Sequence, residues 1–278
     1  NLIYTGGGHC YILLPNTTDI LRIIREYEIQ VNEWLMNKFG TALYIGTGYA
    51  VASANAFRNV PEGSYSELYR NISKMISGKK AHRYSAAQII KFNSQTHDGE
   101  RECKVCRRIA ILKDDKCNIC NALERMSSNI LKDDYFTVIC DSEKDALPLP
   151  GERYLVADTK ETLLDRMKSD SYVRCYTKNN IYTGKHVTTK IWVGDYKVKD
   201  KDTFEKLAES ACGIKRIGIL RADVDNLGNT FVNGFNRKNS DCTYTTLSRT
   251  ASLSRQLSLF FKLYINKILA QGSKNMLG

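Results

Sequence analysis

The sequence has no run of roughly 18 apolar residues, which excludes an ordinary transmembrane helix. It opens without the apolar stretch of a secretory leader, and its first residue, Asn1, is not an initiator methionine. No internal repeat is visible by period. Acidic residues are in deficit: 30 Asp and Glu face 41 Lys and Arg, for a net charge of +11. That balance favours polyanionic partners such as nucleic acid, but it does not locate them. The nine cysteines are odd in number and four of them have metal-ligand spacing, which argues for a reducing compartment rather than a secreted disulfide framework. The sequons at Asn16 and Asn71 are then chance matches. What remains is a soluble, cytoplasmic, globular protein with no membrane partner. Its 278 residues are long enough for two domains with cores of their own. Because Leu2 onward already reads as a strand, the expectation is a piece of something longer.

The most informative stretch is GIKRIGILRADVDNLGNTF, Gly213 to Phe231. An apolar run, Ile217 to Leu220, leads into Asp223-Val224-Asp225 and then Asn226-Leu227-Gly228. Bounded by Gly and Asn, the run predicts a buried strand with a carboxylate at its exit, where a cation can reach it. Asp223 and Asp225 are expected to divide the labour between metal and turn. Magnesium or manganese carrying a triphosphate favours hard oxygen ligands of this kind. The plain alternative is a turn with a solvated acid.

Near the start, Leu2 to Leu14 is a pair of apolar segments joined by Gly6-Gly7-Gly8 and followed by His9. This predicts a hairpin whose glycine tip lets backbone N–H groups approach a phosphate, or whose glycines merely satisfy positive φ. A third feature is Cys103-x2-Cys106-x10-Cys117-x2-Cys120. Two such knuckles match a zinc ribbon, and a closed site of this type is structural rather than catalytic. Disulfides or ordinary buried thiols are the alternatives.

Basic residues are densest at Lys79-Lys80-Ala81-His82-Arg83, at Arg101 to Arg108 and at Lys197 to Lys201. Lys79, Lys80 and Arg83 rank first as phosphate contacts, because His82 and Tyr84 beside them could stack on bases. A solvated charged face is the alternative. Arg249 and Arg255, toward the start of a long helix, have the same two readings.

Periodicity organises the rest. Ile20, Ile24, Tyr27, Val31 and Leu35 predict an amphipathic helix capped by Thr17 or Thr18, with Asp19 in its first turn. Ala42 to Val51 predicts a strand, and Tyr65 to Ile76 a second helical stripe. A short helix is expected around 123–130, strands at 135–140, 153–157, 172–177 and 188–194, and a helix at 160–168. Asp145 to Gly151 reads as a turn or linker, Asn236 to Tyr244 as a mobile loop, and Leu253 to Ile268 as a long helix.

This order of motifs resembles the large polymerase/cyclase-like subunit of type III-A CRISPR (Csm) effector complexes, over essentially the whole chain. The resemblance implies an α+β fold of two partial ferredoxin-like palm domains (βαββαβ type), separated by the four-cysteine zinc module and a mixed α/β middle region. It places a degenerate first palm and following helix at 1–95, the middle module at 96–205, and the first half of a cyclase-like second palm at 206–278. The remainder of each palm is expected outside this sequence. In the family the two palms bind ATP and make cyclic oligoadenylates when target RNA is bound, in antiviral defence. The family's active hairpin reads Gly-Gly-Asp-Asp, which is absent here, where the hairpin ends in Gly8-His9. By resemblance, Asp223 is the catalytic ligand for magnesium or manganese, and Val224, Asp225, Asn226 and Gly228, with Gly6, Gly7 and Gly8, hold the nucleotide. The implied partners are ATP, guide RNA, target RNA and other Csm subunits. The resemblance also implies that the full-length protein often carries an HD single-strand DNA nuclease domain, which is not among these residues. Alone, the segment is expected to bind ATP weakly and form no product. A non-catalytic RNA-binding zinc scaffold and a GGDEF or class III signalling cyclase are the competing readings.

Overall fold

The computed structural model describes residues 1–6, 8–96, 99–143, 146–179, 189–191, 203–235, 244–265 and 267–268. Along the chain come β1 (Leu2–Gly6), β2 (His9–Ile12), α1 (Thr18–Phe39), α2 (Ser64–Ala81), α3 (Ala86–Asn93), β3 (Arg101–Glu102), β4 (Ile109–Ala110), β5 (Leu112–Lys113), β6 (Lys116–Cys117) and α4 (Asn118–Lys132). Then follow β7 (Tyr135–Ile139), β8 (Leu147–Leu149), β9 (Arg153–Asp158), α5 (Lys160–Arg166), β10 (Tyr172–Lys178), β11 (Thr189–Ile191), α6 (Phe204–Glu209), α7 (Leu227–Asn233) and α8 (Leu247–Leu259). They gather into two compact units, each discontinuous in sequence. The first comprises Asn1–Asn16, Gly48–Met75 and Gly194–Gly278, and the second Thr17–Thr47 and Ile76–Val193.

In the first unit, β1 and β2 form the expected antiparallel hairpin, with Tyr4 opposite Tyr11 and Gly6 opposite His9. Gly8 has φ +76, a conformation that a side chain would strain. Helix α8 packs on β1, and α7 packs on α8. The N-terminal part of α2 is seated by Asn59, whose Oδ1 accepts from the N–H groups of Gly63 (2.9 Å) and Tyr65 (3.2 Å). Tyr65 is fully buried. Its hydroxyl donates to Thr250 Oγ1 at 2.9 Å, and Thr250 in turn donates to the Phe231 carbonyl at 3.2 Å. One buried chain of hydroxyls therefore ties α2, α8 and α7 together.

The strand expected at Ile217 to Leu220 is not formed. The segment is irregular, with Ile219 89% and Leu220 93% exposed. Among the described residues nothing pairs with it, and a strand without a ladder leaves its backbone groups to water. Asn236 to Cys242 and Thr243, read as a loop, lie outside the described residues, as does Gly7.

In the second unit, α1 is capped as expected, Thr17 Oγ1 accepting from the Ile20 N–H at 3.3 Å with Asp19 in the first turn. Its buried face carries Val31, Leu35 and Met36 together with Glu28 and Asn32. Those two polar residues explain why Ala42 to Val51 is not the expected strand. The Asn32 amide donates to the Ile45 carbonyl and accepts from the Ile45 N–H, both at 2.8 Å. Glu28 holds Thr47 Oγ1 and also Lys79 Nζ, the latter at 2.6 Å. The Asn32 side chain thus takes the place of a neighbouring strand at the Ile45 backbone, and Glu28 holds the segment through the Thr47 hydroxyl. Asn32→Ala removes both bonds from this buried side chain to the Ile45 backbone, so it is expected to destabilise the chain by about 1–2 kcal/mol, read from the urea midpoint.

The same unit holds a five-stranded sheet in the order β11-β10-β7-β9-β8, antiparallel except for β10 with β11. Central strand β7 is buried along Phe136–Ile139, with α5 packed against β7 and β9 and α4 against β8 and β9. The strands expected at 135–140, 153–157 and 172–177 are present, and that at 188–194 is described at Thr189–Ile191. Leu147–Leu149, read from sequence as part of a turn, is instead β8. Its Pro148 sits opposite Tyr154 on a strand that is outermost among the described residues, a kind of sheet position that tolerates a residue without an N–H. Arg166 anchors α5 to the sheet, donating to Asp158 at 2.8 Å and forking onto both oxygens of Glu143 at 2.5 and 2.8 Å. Among the described residues, no helix is long and apolar enough to cross a membrane.

Candidate functional site

The four cysteines converge. Two short hairpins present them: β3 with β4 carries Cys103 and Cys106, and β5 with β6 delivers Cys117. Asp114 and Asp115, both at positive φ (55 and 60), form the two-residue turn between β5 and β6, a geometry for which Asp is well suited. Cys117 then caps α4, whose first turn supplies Cys120. The four sulfurs all lie within 4.8 Å of one another. A tetrahedral zinc with metal–sulfur bonds of about 2.3 Å places its sulfurs about 3.8 Å apart, and Cys106 Sγ lies 3.8 Å from Cys117 Sγ. Donor set and spacing therefore fit a zinc ion.

The backbone prepares the site unevenly. N–H groups of Cys106, Cys117 and Val105 aimed at its sulfur pull the Cys103 thiol down to about 6. Burial, reinforced by the sulfur of Cys117, pushes Cys120 up. For Cys106, burial is opposed by the Arg108 N–H, and the balance falls below the ordinary thiol value. A divalent cation is what allows all four to be thiolates together. The buried core of this element is Cys103, Cys117, Ile119 and Cys120, with Phe39, Ala110 and Leu112 packed against it.

The second candidate lies in the first unit. Tyr4, His9, Tyr11, Tyr69, Gly228, Phe231 and Val232 line a small recess of about 130 Å³. Tyr4 and Tyr11 stack with centroids 5.6 Å apart, Tyr11 meets Tyr69 at 5.0 Å, and Tyr4 lies 3.9 Å from Phe231. The glycine hairpin and the Asp-x-Asp turn, read separately in sequence, thus contribute to one wall through His9 and Gly228. The aromatic residues were missed. They lie in four separate segments, and their spacing alone signals nothing beyond core packing.

Asp223 is exposed, and one of its oxygens accepts from the Val224 N–H at 2.9 Å. Val224, Asp225 and Asn226 are likewise exposed, and Asn226, at φ 57, turns the chain into α7. Neither Asp223 nor Asp225 joins a metal-binding cluster among the described residues. Gly6 ends β1 and Gly8 follows it on the hairpin.

Of the basic residues chosen from sequence, Lys79 is committed to Glu28 and Thr47. Lys80 and Arg83 are exposed, Arg83 donating to the Lys80 carbonyl at 3.3 Å. Tyr84 is held edge-on to Tyr44, with its hydroxyl 3.4 Å from the Leu43 carbonyl. Arg249 lies over the Tyr244 ring at 4.5 Å.

Comparison with known proteins accounts for both ends of the chain. Residues 1–95 match the family model of Csm1 subunit domain B, and residues 216–277 match that of the Cas10/Cmr2 second palm domain. The chain is 38% identical over 277 residues to the CRISPR system single-strand-specific deoxyribonuclease Cas10/Csm1 (subtype III-A) of Enterococcus italicus, covering 97% of this chain and 36% of that protein. It is 39% identical over 289 residues to the protein of the same name from Mycobacterium tuberculosis, covering 98% of this chain and 35% of that one. Among solved structures, Csm1 from T. onnurineus superposes with a TM-score of 0.64 at 22% identity, over 96% of this chain and 31% of that one. A Csm1–Csm4 cassette in complex with AMPPNP gives 0.65 at 21% identity, over 96% and 32%. The chain is homologous along nearly all of its length to the Cas10/Csm1 large subunits of type III-A CRISPR systems, and it spans about a third of the length of the curated relatives it matches.

Proposed function

We propose that this chain is the part of a type III-A large subunit that brings two palm elements to one nucleotide, and that the whole protein makes cyclic oligoadenylates from ATP when target RNA is bound. In this reading residues 1–95 and 206–278 are partial ferredoxin-like palms and 96–205 is the zinc-bearing middle module. The observation that carries it is the shared recess, where His9 of the glycine hairpin and Gly228 of the Asp-x-Asp turn meet although they lie far apart in sequence. A structural relative bound to an ATP analogue supports the choice of ligand.

Tyr11 and Tyr69 offer aromatic surface to a base, and the glycine backbone of the hairpin offers room for phosphates. The exposed Asp223 carboxylate has a second oxygen that no hydrogen bond occupies among the described residues and that can meet magnesium or manganese, which would supply charge neutralisation to a triphosphate. Zinc, held by Cys103, Cys106, Cys117 and Cys120, is structural. Lys80 and Arg83 are the cations placed to meet guide or target RNA, while Lys79 serves the fold first. Two-metal transfer needs carboxylates from a second element, and this sequence contains no Gly-Gly-Asp-Asp.

The purified chain is therefore expected to bind ATP weakly, with Kd on the order of 1 mM, and to yield no oligoadenylate by ion-exchange chromatography. Tyr11→Ala should weaken that binding roughly fivefold, as loss of one stacking surface implies. Oligoadenylate synthesis by this chain alone would refute the division of labour. Absence of ATP binding would favour the non-catalytic RNA-binding zinc scaffold.

A further inference from the structure

The four-cysteine centre carries an electrostatic problem that its ligands do not solve. Four thiolates around one divalent cation leave two negative charges in excess, and three of the sulfurs belong to buried residues, Cys103, Cys117 and Cys120. Residual charge in such surroundings costs free energy unless a partner is at hand. Three nearby basic side chains are turned elsewhere: Arg101 to Asp115 at 3.9 Å, Arg107 to Glu102 at 3.4 Å, and Lys116 to Glu124 at 2.5 Å.

Arg108 is placed differently. Its Nη2 lies 3.7 Å from Cys117 Sγ, within reach of an N–H···S hydrogen bond. Its backbone carbonyl accepts from the Cys103 N–H at 2.8 Å, which fixes the start of the side chain against the knuckle. The guanidinium also lies over the ring of Phe39, 5.2 Å from its centroid. Phe39 is the last residue of α1, packs on the cysteine core, and meets the Trp34 ring edge-on at 5.7 Å.

We propose that Arg108 is the outer-sphere counter-ion of the metal centre and that, through Phe39, it makes the seating of α1 depend on metal occupancy. A planar guanidinium can present its edge to sulfur and its face to an aromatic ring at the same time, which an ammonium cannot. The consequence reaches beyond the zinc element, because α1 also carries Asn32 and Glu28, which hold the chain at Ile45 and Thr47. This inference rests on metal occupancy of the four cysteines.

The test uses the whole chain with Trp192→Phe, which leaves Trp34 as its only tryptophan. Zinc affinity is measured by competition with a chromogenic chelator, the charge-transfer spectrum is recorded with cobalt, and Trp34 emission is followed as metal is added. Arg108→Gln is expected to weaken zinc binding about 10- to 100-fold, the usual range for loss of an outer-sphere partner. It should move the sulfur-to-cobalt band to lower energy, because the sulfur electrons lose a stabilising positive charge. At saturating metal its Trp34 response should be lost. Phe39→Leu should keep the parent affinity and cobalt spectrum while losing the Trp34 response, a separation that general unfolding would not produce. Zinc affinity within twofold of the parent and an unmoved cobalt band in Arg108→Gln would overturn the counter-ion role. A Trp34 response that survives in both variants at full loading would overturn the link to α1. A parent chain that binds no metal would overturn both readings together.

Discussion

Removing the metal, or replacing Cys117 with serine, is expected to unfold the segment from Arg101 to Cys120 rather than loosen it. The reason is the make-up of its core. Three of the four residues buried there are cysteines, and the surrounding strands are only two residues long. Without an ion, the site brings together a thiol held down by backbone N–H groups and another pushed up by burial, with few apolar contacts to offset their crowding. Structural zinc contributes on the order of 10 kcal/mol in comparable elements. Cys117→Ser should therefore lower the metal content from one zinc per chain to well below one, and open the 101–117 region to limited proteolysis. Wild-type chain with well under one zinc, or a serine variant that resists protease as the parent does, would remove the structural role.

The second large effect is chemical. Asp223→Asn in the full-length protein is expected to abolish ATP conversion and leave folding unchanged. The carboxylate is exposed, and its hydrogen bond from the Val224 N–H is one that an asparagine oxygen can also accept. Stability should stay within about 0.5 kcal/mol of wild type, as for surface positions in general. A neutral amide is a poor ligand for a hard cation, so the turnover assay should fall by about a hundredfold or more. Retained turnover would place the site elsewhere. The two variants also separate the two centres, since one should lose structure and the other only chemistry.

Local rules made much of the chain legible. Thr17 and the stripe from Ile20 to Leu35 announced α1, and the cysteine spacing announced the convergence of the four sulfurs, because ligand type and interval carry nearly all the information such a cluster needs. The central strands of the sheet were readable as short apolar runs. The failures were tertiary. Ala42 to Val51 has strand composition, but a single amide on α1 captures its backbone at Ile45. Ile217 to Leu220 is as apolar as β7, yet β7 has strands on both sides and this run pairs with none among the described residues. Of the candidate site, the turn and the hairpin were each visible, whereas the tyrosines that join them owe their meeting to the packing of α2, α7 and α8. Lys79 looked like a phosphate ligand because its acidic partner lies 51 positions away.

Pro148 has a consequence for the molecule in a crowded solution. It occupies the rim of the sheet, where a strand with a full set of donors would be a template for the next chain to add itself. A ring nitrogen with no hydrogen gives that three-residue strand one donor fewer to offer, so the residue that disguised β8 also makes the outer strand, among the described residues, a poorer template.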